Sequence, residues 1–301
     1  MPATITTTYA GEFAGKYISA ALLSSNTIAN GGVTVMPNVK HKAVIKKLAT
    51  SGLVTAATCD FTDAGTVALT EKVITVTDRQ VNLQVCKTPF QTDWEAVQMG
   101  YSAFDVLPKN FSDFFIAKML KDIANDNELF IWNATNGLVA LAVADGSTVI
   151  ATPVAITSAN VLTQLGRIVD GLPASLYGRE DLRLYVSQTV AKAYVRALGG
   201  FGASGLGSNG FANQGNMWYE NGTALTFDGI QLFVANGLLG STCMLTTIDN
   251  LYFGTGLLDD SNEVKLIDMA DIDGSKNVRF ISRFTRGLAV GYGADCVTYI
   301  A

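Results

Sequence analysis

The chain has 301 residues, of which 49% are hydrophobic and only 16% charged, with 21 basic against 26 acidic residues and a net charge of −5. Length alone suggests about two structural units. Typical chains carry about 25% charged residues, so a surface this sparsely ionised is expected to be covered in part by other subunits. The acidic balance argues against tight binding of phosphate backbones.

No stretch reaches the ~18 apolar residues of a membrane span, so no membrane partner is expected. The opening MPATITTTYAGEF lacks the basic start and apolar core of a signal peptide. Cys59, Cys86, Cys243 and Cys296 are scattered, with no C-x-x-C pair and one histidine, His41. Reduced thiols, no zinc site and no cofactor are the expectation.

Residues 1–49 read as an arm, rich in Thr, Ala, Ser and Gly, with a basic cluster at Lys40, His41, Lys42, Lys46 and Lys47. That cluster fits a nucleic-acid patch or a subunit-facing strand end, and the chain's acidity favours the second. Residues 50–88 read as a long hairpin turning at Thr62-Asp63-Ala64-Gly65, with Val81, Leu83 and Val85 alternating with Asn82 and Gln84. Such a ribbon is marginal alone and gains stability by lying on a neighbour.

A long helix is expected at 110–133, capped by Asn110 after Pro108 and carrying Ile116, Leu120 and Ile123 on its apolar face. Beyond it, Leu138–Val143 and Thr148–Ile156 read as strand-like. Ser158 is expected to cap a helix bearing Val161, Leu165, Ile168 and Leu172. Leu182–Val186 reads as a strand, and Ser187 as the cap of a helix through Leu198. A polar loop over 199–217 follows, and then strands at 223–227, 230–234, 244–247, 251–253, 264–267, 278–286 and 296–300. Mixed rather than alternating elements make the fold class α+β.

Motifs for chemistry are weak. Gly200-Phe-Gly202-Ala-Ser-Gly205 fits G-x-G-x-x-G but follows a helix and enters a loop, the wrong context for a dinucleotide. Asp268, Asp271 and Asp273-Gly274 imitate a calcium loop, but Met269 stands at its first position, so a polar turn is expected. Asp259-Asp260 with Glu263 has no nucleophile or histidine beside it. No catalytic residue emerges, and a carboxylate-based enzyme is the alternative that residue chemistry leaves open.

The order of parts resembles the major capsid protein of tailed bacteriophages, with its HK97-like fold. The residues that carry this are LTEKVITVTDRQVNLQVCKTPFQTDWEAVQMG (Leu69–Gly100), LPKNFSDFF, ELFIWN (Glu128–Asn133), LRLYVSQTVAKAY (Leu182–Tyr194), NLYFGTGLLDDSNEVKLIDM (Asn250–Met269) and VRFISRFTRGLAVGYGADCVTYI (Val278–Ile300).

The resemblance implies an N-arm (1–49), an E-loop hairpin (50–88), a peripheral domain (89–157 with 276–301) holding the spine helix, and an axial domain (158–275). It implies a non-enzymatic homo-oligomer of pentamers and hexamers, in a virion head that encloses double-stranded DNA without reading its sequence. Assembly would take place in the host cytoplasm. Separate scaffolding, portal and decoration proteins are the expected partners, and the short start before the arm is the reason to expect the first of them. Candidate subunit-interface residues are Lys40, Lys42, Asp63, Gly65, Glu71, Gly202, Gly205, Asp259, Asp260 and Arg283. An encapsulin-like compartment, or a tail or neck ring, would use related parts for another role.

Overall fold

The computed structural model describes residues 26–57, 59, 65–89, 109–198, 225–256 and 264–301. The expected polar loop at 199–217 and most of the expected arm lie outside them.

The chain enters through a short helix α1 (Asn26–Ala29), strand β1 (Thr34–Met36), and three ten-residue strands β2 (Lys42–Ser51), β3 (Thr66–Thr75) and β4 (Thr77–Cys86). Helix α2 (Lys109–Ile131) follows, then α3 (Leu138–Ala144), β5 (Thr148–Val149), α4 (Val161–Asp170), β6 (Leu182–Val186) and α5 (Gln188–Leu198). Strands β7 (Thr226–Phe227), β8 (Ile230–Val234), β9 (Cys243–Thr247), β10 (Leu251–Gly254) and β11 (Val264–Asp268) precede α6 (Ala270–Asp273), and β12 (Asn277–Val290) and β13 (Val297–Tyr299) close the chain.

A mixed six-stranded sheet in the order β5-β13-β9-β6-β8-β7 forms one half of the structure. Its central strands are apolar at successive positions, as strands buried on both faces must be. Leu182, Leu184 and Val186 of β6 meet Leu165 and Ile168 of α4 and Val190 and Tyr194 of α5. Tyr185 and Met244 point the other way, into a second core with Ile131, Trp132, Leu138 and Val290. The end of the long helix is therefore clamped under the sheet. Trp132, Tyr185 and Phe233 stack in series with 5.3 Å between successive ring centres.

The other half is organised by β12. Its Asn277–Arg286 segment pairs antiparallel with β4, β11 pairs along Val278–Ser282, and Gly287–Val290 pairs with β10. Arg286 is nine-tenths buried and donates to Asp126 (2.6 Å) and Asn127 (2.8 Å) of α2. Its guanidinium also lies 4.1 Å from the centre of the Phe130 ring.

One carboxylate joins the Thr27 segment and the long helix to the half built on the six-stranded sheet. Glu128 of α2 has no solvent exposure. It accepts hydrogen bonds from the Thr27 backbone N–H (3.1 Å), the Thr27 hydroxyl (2.5 Å) and the Gly237 N–H (3.4 Å). Trp132 donates its indole N–H to the same Thr27 oxygen at 2.8 Å.

Several expectations are corrected. Helix α2 begins at Lys109, so Asn110 lies inside its first turn and is not its cap. Leu138–Val143 is helix α3 rather than a strand. The Asn133 side chain accepts from the N–H groups of Thr135 and Asn136, and Gly137 N–H returns to Asn133 O, so the chain reverses tightly and winds again. The strand expected over Thr148–Ile156 shrinks to two residues, Thr148–Val149. Asn160, not Ser158, stands before α4, with its side chain turned back to the Thr157 N–H at 2.7 Å. The expected cap of α5 holds: Ser187 Oγ accepts from the Val190 N–H at 3.2 Å. The calcium-like stretch is a single turn of helix, α6, ended by left-handed Gly274.

Replacing Glu128 by alanine leaves three buried donors without their acceptor, each worth about 1–3 kcal/mol. Urea unfolding of E128A subunits is expected to show a loss of about 3 kcal/mol, with E128Q recovering part of it.

Candidate assembly surface

Strands β2 and β3 pair only with each other, in register from Lys42 opposite Thr75 to Ser51 opposite Thr66. The hairpin therefore starts at Lys42, eight residues before the expected boundary, and takes in part of the basic cluster. Strand β4, expected within it, belongs to the body through β12.

The ribbon is fixed firmly at its root. Ile74 is fully buried and Val76 nearly so, and Val76 N–H bonds to His41 O at 3.0 Å. A Cβ on Gly287 would lie 2.4 Å from Thr75 O, so only glycine lets β12 pass this close. Lys72 is ion-paired with Asp145, which also accepts from the Gly293 N–H at 2.9 Å. At the far end Gly65 takes φ +82°, and a Cβ there would meet Ser51 O at 2.6 Å.

Between root and tip the ribbon is bare. Val44, Leu48, Val67, Leu69 and Val73 are between 47% and 64% exposed. Covering them would contribute roughly 1 kcal/mol per side chain, about 5 kcal/mol in total. An exposed apolar surface of this kind, crossed by the Lys46–Glu71 pair, marks an interaction site.

Helix α2 is also thinly covered. From Phe115 to Asn127 no residue is buried, and Ile116, Leu120 and Ile123, read from sequence as an apolar face, are only half-buried, as is Met119.

The candidate interface residues separate into groups. Lys42, Glu71 and Gly65 are spread along the hairpin from root to tip, all exposed, with Glu71 opposite Lys46. Lys40 is exposed in the turn that leads into β2. Arg283 is exposed on β12 opposite Gln80, on the body rather than the ribbon. Asp63, Gly202, Gly205, Asp259 and Asp260 lie outside the described residues. Sequence reasoning singled out the charged and glycine positions and passed over the apolar ones between them. Their signal is the period-two run Val67, Leu69, Val73 facing Val44 and Leu48.

Groups that could do chemistry are dispersed. Among the described residues no three His, Cys, Asp or Glu side chains stand together as a metal site, and no helix is long and apolar enough to cross a membrane. His41 is exposed at the foot of the ribbon. Hydrogen bonds from the Ser275 hydroxyl and N–H hold the Asp273 carboxyl below its usual range. A cleft of about 540 Å³ lies between the 177–183 and 226–231 segments. Its Arg179 is tied to Asp181 by two bonds of 2.9 and 2.7 Å, and Arg183 donates to the carbonyls of Glu180 and Leu182. The cleft lining contains no serine, cysteine, histidine or lysine.

With this geometry in hand, solved structures identify the architecture. The capsid of a native GTA particle, computed with C5 symmetry, superposes with a TM-score of 0.61 at 11% identity, over 95% of this chain and 94% of that one. The capsid of cyanophage P-SCSP1u gives 0.57 at 14% identity, over 96% and 91%. A structure from Mycobacterium phage Che8 gives 0.53 at 10% identity, over 99% and 96%. The chain has a phage-capsid fold. The expectation of an α+β, HK97-like architecture holds along nearly its whole length. No protein-family model and no curated protein sequence matches it.

The four cysteines are free; Cys59 and Cys86 are exposed, and Cys243 and Cys296 buried. Burial pushes the Cys296 thiol up to about 11 and raises that of Cys243 as well. Native subunits are expected to react with two equivalents of a thiol reagent at neutral pH and with four after unfolding, as counted by mass spectrometry.

Proposed function

We propose that this chain is the major capsid protein of a tailed phage, a non-enzymatic tile that assembles into the pentamers and hexamers of an icosahedral head around double-stranded DNA. The observation that carries this reading is a near full-length match to capsid subunits, combined with an apolar ribbon that the subunit leaves uncovered. In the resembled family the corresponding hairpin lies over a neighbouring subunit, and the ribbon here has the reach for that. Ten residues per strand extend about 33 Å from the root.

The mechanism is physical. One sequence must sit in two ring sizes, so its contacts have to tolerate small rotations while repeating around a closed symmetry. A firm root and a bare ribbon meet both needs. Each copy's contact should bury more than roughly 1,000 Å², and many such contacts acting together hold a closed shell through multivalency. The net charge of −5 suits a DNA container, because it adds no strong grip on the cargo. Scaffolding, portal and decoration proteins remain the proposed partners, and the virion the proposed location.

The test is to shorten the ribbon without disturbing its root. Joining Lys47 to Thr70 through Asn-Gly keeps the remaining pairs in register and supplies a turn suited to the twist of a hairpin. Folded subunits with the wild-type melting temperature but no closed particles by negative-stain microscopy are expected. Unchanged particle yield would overturn the role assigned to the hairpin, and a wild-type chain that stays a small oligomer under every assembly condition would overturn the capsid reading.

A further inference from the structure

The two faces of the ribbon differ, and the register shows how. Residues directly opposite in an antiparallel pair share a face, and successive residues alternate between faces. Val44 opposite Val73, Lys46 opposite Glu71, Leu48 opposite Leu69 and Thr50 opposite Val67 therefore form one face. Ala43 opposite Ile74 and Ile45 opposite Lys72 begin the other, which continues along β3 through Thr70, Ala68 and Thr66. All five of the exposed large apolar side chains on β2 and β3 fall on the first face. The second is committed to its own subunit at the root, where Ile74 is fully buried and Lys72 is paired with Asp145. Further out it carries small or hydroxylated residues along β3.

We infer that the hairpin docks on a second copy of this chain through the Val44/Leu48/Val67/Leu69/Val73 face alone, with Lys42 at its root and the Lys46–Glu71 rung midway as its charged positions. This rests on the capsid reading and adds to it which side of the ribbon makes the contact. The occupant follows from charge and from length. Lys42 stands on this face at the root; beyond it the rung places opposite charges across from each other, so the outer face offers no net charge to draw a nucleic acid or a lipid headgroup. The same chain carries another incompletely covered apolar surface of matching length. The half-covered stretch of helix α2, Phe115–Asn127, runs about 20 Å at 1.5 Å per residue, against about 23 Å for the Val67–Val73 stripe. A ribbon face on one copy meeting a helix flank on the next is a head-to-tail contact, the kind that closes rings.

Neighbouring positions on one strand supply the test. Leu69 and Thr70 are both exposed in the lone subunit and point to opposite faces. Leu69→Glu and Thr70→Glu are prepared side by side under conditions where the wild-type chain assembles. Melting curves of the unassembled subunits confirm that each is folded. Leu69→Glu is expected to cut particle yield by more than tenfold, and Thr70→Glu by less than twofold. Val67→Glu and Ala68→Glu repeat the comparison one step nearer the tip and are expected to show the same contrast. Equal losses from both members of each pair would overturn the one-sided contact while leaving hairpin docking intact. Full yield from both would overturn docking by this ribbon altogether. Failure of the wild-type chain to assemble would instead count against the capsid reading.

Discussion

A single buried carboxylate holds the subunit together at the point where its parts would otherwise separate. Glu128 reaches residues 27 and 237 at once, so it ties the chain's entry, the long helix and the six-stranded sheet to one another. A buried acid is costly unless its oxygens are satisfied. Here two N–H groups and a hydroxyl satisfy them, and Trp132 fixes the hydroxyl from behind. The arrangement is directional, unlike the apolar contacts around it. It sets the angle at which α2 leaves the sheet, and with that the line along which β12 and the hairpin root are laid.

From that fixed line the subunit divides into a stiff part and an exposed part. Arg286 locks α2 to β12, and Gly287 lets the base of the hairpin sit against the same strand. Beyond Lys72 no described residue buries the ribbon's apolar face. Stiffness at the root matters because a contact made about 30 Å away amplifies any change of angle there. The exposed surface is confined to elements whose shape the root already determines.

Much of this was legible in the sequence, because local patterns and tertiary demands agreed. The α4–β6–α5 passage reads correctly since its apolar residues keep clean helical and strand periods and both cores need them. The Ser187 cap was readable for the same reason. The passage from Leu138 to Val143 was not. Six small and branched apolar residues have no polar partner to set a period, and the winding is decided by the turn at Asn133 and Gly137. The Glu128 contact was also invisible, because nothing local distinguishes a buried glutamate from the exposed ones on a long helix. The hairpin was foreseen but placed late. Thr, Ala, Ser and Gly suggested an arm through residue 49 and the lysines a strand end, whereas a full strand begins at Lys42 and alternates charge with Val44 and Leu48 on one exposed face. Glu71 and Gly65 were found as candidates because charge and glycine attract notice. The leucines and valines between them escaped because exposure is a property of the fold.

The same alternation explains how a subunit can carry such a face before assembly. An unpaired, flat, apolar strand pair invites edge-to-edge growth with any other strand. Lysines near the start of β2 and the Lys46–Glu71 rung interrupt the stripe, so a fibre-like stack of identical ribbons would repeat charged residues through its face instead of burying an unbroken apolar one. A partner presenting a helix flank does not impose that repetition. The rung therefore weakens the contact slightly and restricts it strongly, excluding the open-ended assembly that a continuous apolar stripe would favour. Fixing the root adds a second restriction, because a ribbon held at one angle can reach a neighbour only from one side. On the proposed capsid reading, closed rings would follow when both restrictions act on every copy.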